Sequence, residues 1–132
     1  MGAQADQLKE RTKQFAVRVV RAVEALPRKS SASIIGRQVL RSATSVAANY
    51  RAACRSRSRD EFVAKLGIVI EEGDETIFWL EMLVDTGLVP FKRMAGLLDE
   101  ANQLVAIFTA SKRTAEPRKS LIDNRQSEMV LP

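Results

Sequence analysis

The sequence predicts an all-α protein, an antiparallel up-down-up-down four-helix bundle. Three observations carry that expectation. Apolar residues recur at helical spacing through four long segments, and no segment alternates with period two. Proline, glycine or serine-rich breaks separate the segments near Pro27, Ser56 and Gly87. Those breaks are short, and short connections between long helices make antiparallel neighbours.

The first helix is expected from about Asp6 to Leu26, with Leu8, Phe15, Val19, Ala22 and Leu26 as its stripe and Pro27 as its stop. Ser30 to Ser33 offer N-caps for a second helix that continues to about Cys54. Its inner face reads Ile35, Val39, Ser42, Val46, Asn49 and Ala53. Small residues around that face (Ala43, Ser45, Ala47, Ala48, Ala52) would let a neighbouring helix approach closely. The third helix opens at Ser58, where "SRDE" spells a capping box with Glu61 reaching back. Phe62, Leu66, Val69, Thr76, Leu80 and Leu83 form its stripe, and Gly87 suits the position that ends it. Pro90 begins the fourth helix in its first turn, with Met94, Leu97, Ala101, Leu104, Val105 and Phe108 inward. The period fails after Arg113. The bundle is therefore expected over residues 5–113, with 114–132 a basic and polar disordered tail.

Composition narrows the function classes. Residues 1–59 carry 13 Lys/Arg against 3 Asp/Glu, whereas residues 60–100 carry 3 against 10. Such a polarised chain suits nucleic acid, or another copy meeting it basic half to acidic half. The chain has no histidine, so neither a Ser-His-Asp nor a Cys-His pair can be assembled. A ferritin-like di-metal centre needs Glu-x-x-His repeats, which are likewise impossible here. The reading is of no enzyme, no metal and no cofactor. Cys54 is the only cysteine, so no intrachain disulfide forms. It is read as a small buried or interface residue before it is read as a nucleophile. The polar start "MGAQADQLKE" has no apolar signal core, and no apolar run is long enough to span a membrane. A cytoplasmic protein with no membrane association is the expectation.

The stretch "QVLRSATSVAANYRAACRSRSRDEFVAKLGIVIEEGDETIFWLEMLVDTGL", Gln38 to Leu88, resembles the four-helix-bundle family of proteins encoded in intervening sequences of ribosomal RNA genes. Gln38, the Leu40-Arg41-Ser42 step, Ser45, Asn49, the serine-rich turn before Glu61-Phe62 and the run from Glu75-Thr76 to Trp79-Leu80 carry the resemblance. A related branch comprises accessory variability proteins of diversity-generating retroelements. It implies a basic homopentameric barrel that binds nucleic acid, DNA or RNA, and a reverse transcriptase. The chain departs from the family's acidic "Asn-Ile-Ala-Glu-Gly" step, having "NYRAA" with Arg51 instead.

Three groups of residues follow from the helical wheels. Arg37, Arg51 and Arg55 share the outer face of the second helix with Arg41, and Arg57 and Arg59 extend it through the turn. Closely spaced guanidiniums suit phosphate, with a solvated face or an acidic protein partner as the alternatives. Tyr50 alone among the aromatics neighbours the patch, so base stacking has little support. The second group is a polar seam, Gln38, Arg41, Ser42, Ser45 and Asn49 against Glu72 and Glu75, read as satisfying itself and fixing register. Glu72 falls on the inner side of its helix, so its removal is expected to cost ~1–3 kcal/mol. The third is a set of off-core apolar residues, Val17, Val20, Leu40, Phe78 and Ile107, read as subunit contacts of a homo-oligomer. A self-assembling interaction scaffold is the alternative to a nucleic-acid binder.

Overall fold

The protein, seen here as a computed structural model, is described over residues 2–116. Within them the chain forms α1 (Ala3–Glu24), α2 (Ser30–Ala53), α3 (Arg59–Asp85) and α4 (Phe91–Ala115). Each helix packs on its neighbours in chain order and α4 closes back onto α1, while the backbones of the two diagonal pairs stay apart and meet only through core side chains such as Tyr50 and Phe108. This is the expected up-down-up-down bundle. Its α4 runs two residues beyond the expected Arg113, and the expected tail from residue 117 onward lies outside the described residues.

The core is aliphatic, as the scarcity of aromatics requires. Val19, Val39, Val46, Leu66, Val69, Leu80, Leu83 and Leu104 are buried and meet Phe15 and Phe108. Each such side chain contributes roughly 1.5–3 kcal/mol of burial. Two glycines set how closely the helices approach. A Cβ on Gly73 of α3 would lie 2.6 Å from Val105 Cγ2 of α4, and one on Gly36 of α2 would lie 2.8 Å from Leu26 Cδ1. Both distances are shorter than packed atoms allow, so a Cβ would require Val105, or the more flexible end of Leu26, to shift.

The helix ends follow local chemistry, with two corrections. Ser58 Oγ accepts the Glu61 N–H at 3.1 Å, as a capping box requires. Glu61 Oε2 accepts from the Arg57 N–H rather than from that of Ser58. Gly87 takes φ 76, where only glycine is unstrained, and ends α3. Of the expected serine caps on α2, none acts. Lys29 is the N-cap, no side chain caps the helix, and the serines lie inside its first turn. Pro90 is the N-cap of α4, one residue before the expected first-turn position.

Candidate nucleic-acid interface

Arg37, Arg51, Arg55, Arg57 and Arg59 are all exposed. Arg37 and Arg51 project from the outer face of α2, Arg55 and Arg57 stand on the α2–α3 turn, and Arg59 begins α3. No ion pair within the described residues involves any of the five. Arg57 is held only through its backbone, whose N–H donates to Glu61 Oε2 at 3.2 Å. That bond, with help from Lys65, holds the Glu61 carboxyl below the usual carboxylate range. The first turn of α3 is therefore already served by Ser58 and Glu61, and any anion at this end would be gripped by guanidiniums.

Arg41 separates from this set. Its Nη1 lies 3.3 Å from Glu72 Oε2, its Nη2 pairs with Glu75, and its Nε donates to Gln38 Oε1 at 3.2 Å. The wheel leaves Arg41 on the border between faces, and the two carboxylates of α3 draw it toward the seam. The seam itself divides by depth. Ser42 is fully buried and accepts from Thr76 Oγ1 at 2.9 Å, whereas Arg41 and Glu75 are each only about half-buried, nearer the surface. Glu72 is 23% exposed, shallower than expected, because the adjacent Gly73 takes the inward position. Asn49 closes on its own helix, donating to Ser45 Oγ at 2.8 Å and to the Ser45 carbonyl. Thr76, expected only as a stripe residue, carries through its hydroxyl the one buried link between the two helices' side chains in this seam.

Tyr50 belongs to the core rather than to the patch. It is 4% exposed and its ring lies 5.2 Å from that of Phe108. Burial, then the neighbouring Cys54, push its phenol well above the ordinary value. Among the off-core apolar residues, Phe78 is exposed and stacks edge-on against Trp79. Val17, Val20 and Leu40 are half-buried, and half-buried Ile107 leans on the core. Ile34, Ile68 and Phe91 are exposed apolar residues that the wheels do not single out. Across the bundle, Arg11 of α1 grips Glu100 of α4 through two bonds, 2.6 Å from Nη2 and 3.1 Å from Nε. That bond holds the Arg11 guanidinium above its ordinary value. No group of three or more metal-ligating side chains gathers among the described residues, and none of their helices is long and apolar enough to cross a membrane.

A square four-helix bundle with an unpaired arginine face beside a carboxylate-rich one defines the class: an all-α bundle protein with a polarised surface. The profile of the 23S rRNA-intervening sequence proteins matches residues 6–110, and the chain belongs to that family. Among solved structures it is similar to a protein of unknown function from the S23 ribosomal protein family of Bacteroides thetaiotaomicron. The two are 28% identical with a TM-score of 0.77, over 83% of this chain and 97% of the other. No curated protein matches the chain.

Proposed function

We propose that this protein is a non-enzymatic, oligomeric bundle that binds DNA or RNA along the phosphate backbone, without sequence preference, as an accessory to a reverse transcriptase. The observation that supports the binding most is the state of the five arginines. They are exposed and without carboxylate partners among the described residues, although the chain has 16 acidic residues, and Arg41 beside them is paired twice. Unpaired guanidiniums keep their donors for phosphate, and each contact releases condensed counterions. With Tyr50 buried, the one aromatic that the sequence sets beside the patch is withdrawn from base stacking, so the binding is read as backbone-driven.

Assembly is supported separately. Exposed or half-exposed apolar residues occur on every helix: Val17 and Val20, Ile34 and Leu40, Ile68 and Phe78, Phe91. A self-assembled ring of five, which the resemblance implies, repeats the arginine patch, so that avidity multiplies weak single sites. The reverse transcriptase partner likewise rests on the resemblance.

The test is a salt titration of binding to duplex and single strands. Wild-type affinity should fall steeply with salt, and Arg55→Gln/Arg57→Gln should reduce the slope of log affinity against log salt by about one for each arginine–phosphate pair removed. The double variant should keep its helicity and its mass by light scattering, because both positions are exposed. Absence of binding by the wild type at ~50 mM salt, where the counterion effect is strong, would leave only a solvated turn.

A further inference from the structure

The basic face does not end at Arg37. Arg28 and Lys29, in the connection between α1 and α2, are exposed and join Arg37 in lining a groove of about 810 Å³. Ser30 and Ser33 add hydroxyls to its wall, and no carboxylate lines it. None of the three cations takes part in an ion pair among the described residues. Two clusters therefore flank α2, one of Arg28, Lys29 and Arg37, the other of Arg51, Arg55, Arg57 and Arg59. We infer that they form one site for double-stranded DNA, each cluster gripping one of the two backbones that border a major groove.

The spacing carries this. Arg37 and Arg51 lie 14 residues apart, about 21 Å along α2 at 1.5 Å per residue. At 3.6 residues per turn they point within about 40° of each other, so both leave the same face. Thr44 and Ala48 stand between them on that line, exposed and uncharged, while Arg41 is held by Glu72 and Glu75. One turn of B-form DNA is about 34 Å long, and its major groove is about twice as wide as its minor one. The strands bordering a major groove are then about 23 Å apart along the axis, close to the separation of the clusters. The small side chains of Thr44 and Ala48 leave room over the groove's opening.

Other polymers fit less well. Duplex RNA has a narrow major groove, which sets its two backbones too close together for the clusters. A single strand offers one backbone and must be ordered before it reaches both ends of α2. The inference rests on the backbone-binding reading and adds to it the kind of polymer and a second set of contacts.

Fluorescence anisotropy of the full chain at one fixed salt concentration tests it. The probes are a DNA duplex of about one and a half turns, an RNA duplex of equal length and the DNA single strand. Wild type should bind the DNA duplex at least about tenfold more tightly than either of the others. Arg28→Gln/Lys29→Gln/Arg37→Gln should lose at least about tenfold on that duplex, since it empties one cluster. Lys13→Gln/Arg21→Gln/Lys92→Gln removes the same charge from exposed positions on α1 and α4, and should lose less than about threefold. Affinity for the DNA duplex no higher than for either other polymer, or equal losses from the two variants, would overturn the inference and leave backbone binding standing. Absence of binding to all three polymers would overturn the proposed function, and this inference with it.

Discussion

The α2–α3 and α1–α4 edges are both antiparallel helix pairs, yet they are held together by different means. A short turn joins α2 to α3, so proximity comes from the chain, and the interface spends its chemistry on close fit. Small residues face each other there, and the fully buried Ser42 and Thr76 share a hydrogen bond. Nothing in the chain joins α1 to α4 except the whole bundle between them. That edge is packed more loosely, is bridged by the Arg11–Glu100 pair and leaves a groove open. The difference is one of entropy. Helices tethered by a few residues lose little freedom on meeting, whereas a pair separated by most of the sequence needs a directional contact to fix its register.

The sharpest way to break this contrast is to add bulk. Ser42→Leu must force α2 away from α3 at a fully buried position and strands the Thr76 hydroxyl, so it should cost about 3 kcal/mol. The melting temperature should fall by about 10 °C in a domain of this size. A shift of one or two degrees would mean that the α2–α3 approach is not tight.

On the other edge the expected effect is smaller and of another kind. Glu100→Gln removes the charge opposite Arg11, whose side chain is 36% exposed. Solvent screening limits the loss to about 1 kcal/mol, and the difference from wild type should shrink at high salt. Ser42→Leu should show no such salt dependence. Were the Glu100→Gln effect insensitive to salt, the clasp would be acting through packing rather than charge.

Glycine substitution sharpens the comparison further. A Cβ on Gly96 of α4 would meet only the tip of Arg18, 3.2 Å away, and that flexible guanidinium can move. Gly96→Ala should therefore stabilise the helix by about 0.5–1 kcal/mol. Gly73→Ala should do the reverse, because Val105 is short, branched and held in the α3–α4 contact. Parallel melting curves of the two variants decide the point.

What the sequence makes legible follows the same division. Stripes repeat within one helix, so the four helices, their order and most of their inward residues can be read directly, down to the Ser58 cap and Gly87. Arg11 and Glu100 cannot be paired that way, since they lie 89 residues apart and meet only once the bundle closes. The depth of the seam escapes the sequence for a related reason. A wheel gives the direction of a side chain but not which neighbour, Glu72 or Gly73, a facing helix leaves room for. The arginines on the α2 face are legible as exposed, while the capture of Arg41 by Glu72 and Glu75 depends on the relative height of two helices.

The smallest effect expected belongs to Glu72. An inward glutamate would be worth ~1–3 kcal/mol through the partners it leaves stranded. Glu72 is only 23% exposed, but its partner Arg41 is half in solvent, still holds Glu75 and can turn to water when Glu72 is removed. An exposed ion pair of this kind contributes about 0–1 kcal/mol, and alanine is the better helix former, which offsets part of the loss. Glu72→Ala should thus lie within about 0.5 kcal/mol of wild type. Glu71→Ala, on the exposed face beside it, should be indistinguishable from wild type by the same melting curve. If Glu72→Ala instead melts as far below wild type as a buried-pair deletion, Arg41 is held more firmly than its exposure implies. The seam would then belong with the tight α2–α3 contacts beneath it rather than with the charged clasp on α1 and α4.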